Sequence, residues 1–132
     1  MKKAVYLLAR QNFNKVYGHQ ERADISNRVQ IIRDVIEPAE VQTLGDSCHE
    51  VEIIFSGWGM AVMDEAFFEH FPNLKILFYG GGAVNRFVTE SVWARKLPIT
   101  TSNSANGVPV AEYTVAQIIM CLKQAYRANK II

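Results

Sequence analysis

The chain has 132 residues, 49% of them hydrophobic and 20% charged, which fits one globular domain with a single core over residues 1–132. Lys and Arg number 14 against 13 Asp and Glu, so no electrostatic excess points to nucleic acid or an anionic membrane as partner. Cys48 and Cys121 are too few for a disulfide framework, and with no secretory segment and no long apolar span the chain reads as a soluble cytoplasmic protein.

Taken in order, Ala4–Ala9 (AVYLLA) is a short apolar run of the kind that forms a strand buried on both faces. Arg10-Gln11-Asn12-Phe13 reads as the loop after it. Ile25, Val29, Ile32 and Ile36 recur at i, i+4, i+7 and i+11, which predicts a helix with one apolar stripe turned to a sheet. Val41–Leu44 is a weaker strand candidate and Val51–Phe55 (VEIIF) a stronger one. Asp64 can cap a helix that carries Phe67, Phe68 and Phe71 and stops at Pro72. Leu74–Tyr79 is the next strand, Thr89 opens a helix running through Trp93, and Pro98–Thr101 is a short strand. A long helix from about Pro109 to Arg127, within residues 108–128, closes the series. The alternation reads βαββαβαβα, a parallel α/β sheet of about five strands with helices on both faces. Right-handed crossovers give it the flavodoxin-like order 2-1-3-4-5.

In such a sheet ligands bind beyond the carboxyl ends of the strands, and three small, polar or glycine-rich loops fall on that edge. They are Ser56-Gly57-Trp58-Gly59-Met60, then Gly80-Gly81-Gly82-Ala83-Val84-Asn85, then Ser102-Asn103-Ser104-Ala105-Asn106-Gly107. Glycine lets backbone N–H groups approach a ligand closely and takes positive φ at little cost. A dinucleotide loop needs G-x-G-x-x-G, and Asn85 stands where the third glycine would be after Gly80 and Gly82. Val62 breaks the pattern after Gly57 and Gly59. An FMN site would want hydroxyls after the first strand, and a phospho-acceptor site an aspartate where Ser56 stands. His19, His49 and His70 are scattered, and Cys48-His49 lacks a second pair at metal spacing, so no metal is expected. Binding of a small carboxylate remains. Backbone N–H groups around Gly82 and Ala83 would hold its oxygens, with the amide of Asn106 at a positive helix end. That needs no nucleophile or general base, so Arg86, Glu90 and Glu112 read as solvated or helix-terminal charges.

From Asn73 the passage NLKILFYGGGAVNRFVTESVWARKLPITTSNSANGVPVAEYTVAQIIMCLK, preceded by VEIIFSGWG, resembles the D-isomer-specific NAD-dependent 2-hydroxyacid dehydrogenases. Order and spacing over Leu74–Lys123 carry the resemblance. It implies a flavodoxin-like substrate domain, holding a 2-oxo or 2-hydroxy acid against a nicotinamide bound by a separate nucleotide domain. By position Gly82 and Ala83, with Gly81 beside them, would supply the carboxylate-binding N–H groups. Asn106 would stand beside substrate, and Ser56, Gly57 and Trp58 would border the pocket. Ala83 and Asn85 depart from the glycine and aspartate common in the family.

The resemblance implies NAD or NADP in a complete enzyme. The family's nucleotide loop and catalytic arginine, glutamate and histidine lie beyond the equivalent of Ile132, so this chain alone is expected to bind no cofactor and to be inactive. A free-standing carboxylate-binding module and a protein-interaction module are the competing readings. From Tyr113 to Leu122 there is no charged residue, and a helix apolar on most sides wants burial on several. A homodimer pairing this helix with its copy near Ile119 or Met120 is therefore expected.

Overall fold

The computed structural model describes residues 1–128. Strand β1 (Lys3–Leu7) leads through helices α1 (Arg10–Val16) and α2 (His19–Ser26) to β2 (Gln30–Ile31). Two turns of 3₁₀ helix, Pro38–Thr43 and Gly45–Cys48, precede β3 (Ile53–Ser56). Then come α3 (Glu65–His70), β4 (Ile76–Tyr79), α4 (Glu90–Ala94), β5 (Ile99–Thr101), α5 (Asn103–Leu122) and α6 (Ala125–Ala128). All pairings are parallel and the order is β2-β1-β3-β4-β5, the flavodoxin-like arrangement expected.

The apolar runs are strands because both faces of the sheet carry core. On one face Val5, Leu7, Ile54 and Leu77 pack with Phe67, Phe71, Phe87 and Val92. On the other Tyr6 and Leu8 pack with Phe13, Tyr17 and Ile25. Asp64 caps α3 by accepting from Phe67 N at 2.9 Å, and Thr89 caps α4 by accepting from Ser91 N at 3.2 Å. These are the two helix starts that side-chain capping chemistry predicts.

Four expectations need correction. The stripe Ile25–Ile36 is not one helix: α2 ends at Ser26, a turn follows in which Arg28 N donates to Ile25 O at 2.9 Å, and the chain is then extended, with Gln30 N donating to Lys2 O at 2.9 Å and Ile32 N to Ala4 O at 3.1 Å. Strand β2 is therefore Gln30–Ile31, and Val41–Leu44 is largely 3₁₀ helix, opened by Pro38 and a capping box between Glu37 and Glu40. Arg10–Phe13 is no loop but the first turn of α1, whose Phe13, Val16 and Tyr17 spacing fits one packed face. The last helix starts at Asn103, with Pro109 inside it, and breaks at Gln124, whose φ is 52°. Glu112 consequently lies well inside the helix, and its charge is not a helix-terminal one.

No helix among the described residues is long and apolar enough to cross a membrane.

Candidate functional site

The carboxyl ends of β1, β3, β4 and β5 bring the three sequence-selected loops to one edge of the sheet. Ser56, the last residue of β3, is fully buried. Its carbonyl accepts from Tyr17 Oη at 2.7 Å and from Gly80 N at 2.8 Å, and its hydroxyl donates to Met60 Sδ at 3.0 Å. Ser56 thus ties the β3 loop to the glycine run after β4. Burial, with Tyr6 alongside, pushes the Tyr17 hydroxyl well above its ordinary pKa, so it stays a donor at neutral pH.

Gly57 is buried where a Cβ would come within 3.0 Å of Val16 and 3.1 Å of Leu8. The Trp58 carbonyl accepts from Ala9 N at 3.3 Å and Asn12 Nδ2 at 3.2 Å, pinning this loop to the start of α1. The Trp58 ring is left half exposed at the rim. Gly59 has φ of +90°, and a Cβ there would lie 2.6 Å from that of Ala9.

The glycine run works by contact rather than by unusual backbone angles, since none of its three residues has positive φ. A Cβ on Gly80 would lie 2.4 Å from Val16 Cγ1, and one on Gly81 2.7 Å from the Tyr79 ring. These two glycines are needed for packing. Gly82 differs, because its neighbour is Asn103, whose Oδ1 would be 3.0 Å from such a Cβ. Among the described residues no protein acceptor takes the N–H of Gly82 or Ala83, and Ala83 is exposed. Asn103 is the first residue of α5, and Ser102 N donates to Gly81 O at 2.9 Å. Gly82, whose N–H is free, therefore stands beside the amino end of a 20-residue helix, where backbone dipoles favour negative charge.

Asn106 lies one turn further along. It is exposed, and its own N–H is used in the helix, donating to Ser102 O at 2.9 Å. Asn103, Tyr17 and Asn12 are the polar residues that sequence reasoning passed over. Asn103 was within the selected loop, but nothing in its spacing set it above Asn106. A hollow of about 390 Å³ shares Gly80 and Ser102 with this edge. It otherwise lies over Phe55 and Phe78, away from Gly82 and Ala83.

Among the described residues no group of three His, Cys, Asp or Glu side chains could hold a metal ion. Cys48 is fully buried, and burial raises its thiol pKa, which makes it a core residue. Nor do the residues fit a dinucleotide pyrophosphate. Gly80 and Gly81 are filled by Val16 and Tyr79, and α4 starts only at Glu90, so no glycine turn leads directly from β4 into a helix.

The fold defines a parallel α/β domain of flavodoxin-like topology, with the sequence-selected loops gathered at one edge of its sheet. No protein-family model matches the chain, and no curated protein matches it.

Proposed function

We propose that the chain is the substrate-binding domain of a D-isomer-specific NAD-dependent 2-hydroxyacid dehydrogenase and holds the carboxylate of a small 2-oxo or 2-hydroxy acid. The observation that supports this is the closeness of Gly82, whose N–H is unpaired, to Asn103 at the amino end of α5, with the unpaired N–H of Ala83 next in the chain. A carboxylate there would receive two backbone hydrogen bonds and the favourable end of the helix dipole. Asn103 and Asn106 would offer amides to the substrate's oxo or hydroxyl oxygen, and Ser56, Gly57 and Trp58 would bound the opposite wall. Since the described residues do not fit a nucleotide, hydride transfer is assigned to no group here. The role of this domain is to bind and orient.

The test is an NMR titration of the chain with glyoxylate, pyruvate and D-lactate, with lactamide as the uncharged control. Saturable shifts of the Gly82 and Ala83 amides with the acids, and none with lactamide, are expected. Equal response to lactamide, or shifts confined to other loops, would overturn the reading. The competing interaction-module reading expects no saturable response at these two amides.

A further inference from the structure

Phe55 pairs with Phe78 in register, and Phe78 with Thr100, so the three side chains stand side by side on one face of β3, β4 and β5. The two rings stack, with centroids 5.2 Å apart and planes 14° apart. Helices α1 and α2 cover the neighbouring part of this face, where Tyr6 and Leu8 pack with Phe13, Tyr17 and Ile25. Tyr17 and Ile25 of that layer also line the hollow of about 390 Å³ over the two phenylalanines, which reaches Gly80 and Ser102. Its three strands have four, four and three residues. The floor is therefore about 13 Å long at about 3.3 Å per residue, and about 10 Å across at about 4.8 Å between strands. That is room for a small molecule, and the volume lies in the roughly 300–1,000 Å³ range of small-ligand sites.

The hollow has charge of one sign. Glu21 and Asp24 both line it, and their spacing of i, i+3 puts them on one side of α2. Both are exposed, and among the described residues neither forms an ion pair. Asp24 accepts from the neutral Gln20 amide at 3.2 Å. The cation between them in sequence, Arg22, is turned away: its guanidinium lies 4.9 Å over the Phe13 ring and donates to Gly18 O and Asn14 Oδ1. Two like charges one turn apart repel each other, and a cation beside both relieves that repulsion.

An acidic pair alone would suit any solvated cation. The aromatic floor is what narrows the choice. Burial on Phe55 and Phe78 favours an apolar body, and a flat ring adds stacking to it. The same ring faces attract a positive charge within about 6 Å of their centroids. Floor and rim together therefore ask for one molecule with an aromatic body and a cationic head.

We propose that this hollow binds a small arylalkyl ammonium, an aromatic ring on a short chain that ends in a protonated amine. The ring lies on Phe55 and Phe78, and the ammonium donates to Glu21 and Asp24. Its rim is opposite in sign to what a carboxylate needs, so this site stands independently of the one proposed at Gly82 and Ala83.

The test is an NMR titration of the chain with phenethylammonium, with phenethyl alcohol as the uncharged control and butylammonium as the control without a ring. Saturable shifts of the Gly80, Ser102 and α2 amides are expected with phenethylammonium, at an affinity about tenfold or more above that of either control. Glu21→Gln with Asp24→Asn, both at exposed positions, is expected to weaken phenethylammonium about tenfold and to leave phenethyl alcohol unchanged. Phe55→Leu is expected to weaken phenethylammonium severalfold and to leave butylammonium unchanged, with circular dichroism confirming the fold. Should Phe55→Leu fail to fold, the three ligands and the carboxylate variant still decide the matter. Four outcomes would overturn the proposal: no saturable shift at these amides; equal affinity for phenethyl alcohol, which makes the hollow merely apolar; equal affinity for butylammonium, which leaves the floor without a part; or unchanged phenethylammonium binding when both carboxylates are neutralised.

Discussion

Gly82 and Asn103 meet where the β4 loop passes the start of α5, so closely that a single added carbon on the glycine would stand 3.0 Å from Asn103 Oδ1. The contact couples loop and helix end into one edge. A Gly82→Val substitution must push Asn103 aside and cover the neighbouring N–H groups. The expected result is an intact fold and about tenfold weaker carboxylate binding, or roughly 1.4 kcal/mol, read by the NMR titration. Unchanged affinity would mean that the carboxylate lies elsewhere.

Asn103→Ala and Asn106→Ala separate the two candidate amides. A hydrogen bond to a bound ligand's neutral oxygen is worth about 0.5–1.5 kcal/mol, so each variant that removes a used amide should weaken binding roughly two- to tenfold. The proximity of Asn103 to Gly82 makes its substitution the larger effect expected. Equal affinities for the unaltered chain and both variants would remove side-chain amides from the site.

Gly59 and Gly45 both have positive φ, +90° and +53°, yet only Gly59 is crowded, with Ala9 Cβ 2.6 Å from where its own would be. Gly45→Ala should cost about 1 kcal/mol, the backbone penalty alone. Gly59→Ala should cost about 3 kcal/mol or more, because Ala9 belongs to the junction that also holds Trp58 O. Urea denaturation of the two variants gives the comparison. Similar midpoints would show that the Ala9–Trp58 junction yields easily.

Tyr17 bears on the alkaline side of stability, as do the other buried tyrosines Tyr6 and Tyr79. Burial holds its hydroxyl above the ordinary value of 10.0, so the folded state favours the protonated form. That contribution is full below the unfolded value and is lost as pH rises toward the folded one. Tyr17→Phe should cost about 0.5–1.5 kcal/mol at neutral pH and should make the decline above pH 10 shallower. Parallel alkaline profiles for the two proteins would refute the assignment.

Glu52 acts on the acid side. Hydrogen bonds from Lys75 first and Lys2 second, the latter at 3.2 Å, hold its carboxyl below the usual 4.5. A depressed folded value contributes stability above the unfolded one and loses it as pH falls through the folded one. Glu52→Gln should therefore lower the melting temperature at neutral pH, with the difference closing in acid well below 4.5. A constant difference across that range would point to packing rather than charge.

Strands β1, β3 and β4 were legible because their burial demands continuous apolar runs, β5 only as a short β-branched stretch, Ile99-Thr100-Thr101, after Pro98, and Asp64 and Thr89 announced helices by chemistry that acts within a single turn. β2 was not legible. Val29, Ile32 and Ile36 also satisfy a helical period, and only pairing with Lys2–Ala4, distant in sequence, pulls this stretch into extended form. The same limit applies to the site. The glycine loops could be found from composition, but helix-poor Asn103-Ser104-Ala105-Asn106-Gly107 gives no local sign of being the first turns of α5. Asn103, which meets Gly82, was accordingly not set apart from Asn106.

The one-residue joint at Ser102 has a mechanical meaning. A 20-residue helix is about 30 Å long, so a tilt of about 5° swings its far end by roughly 2.6 Å while moving Asn103 by only a few tenths of an ångström. Read backwards, the same gearing gives whatever grips the far end of α5 a strong mechanical advantage over Asn103 and, through the bond from Ser102 N to Gly81 O, over the glycine loop. By the same proportion, Asn103 keeps its place beside Gly82 to within a few tenths of an ångström while the far end of α5 takes up a different position.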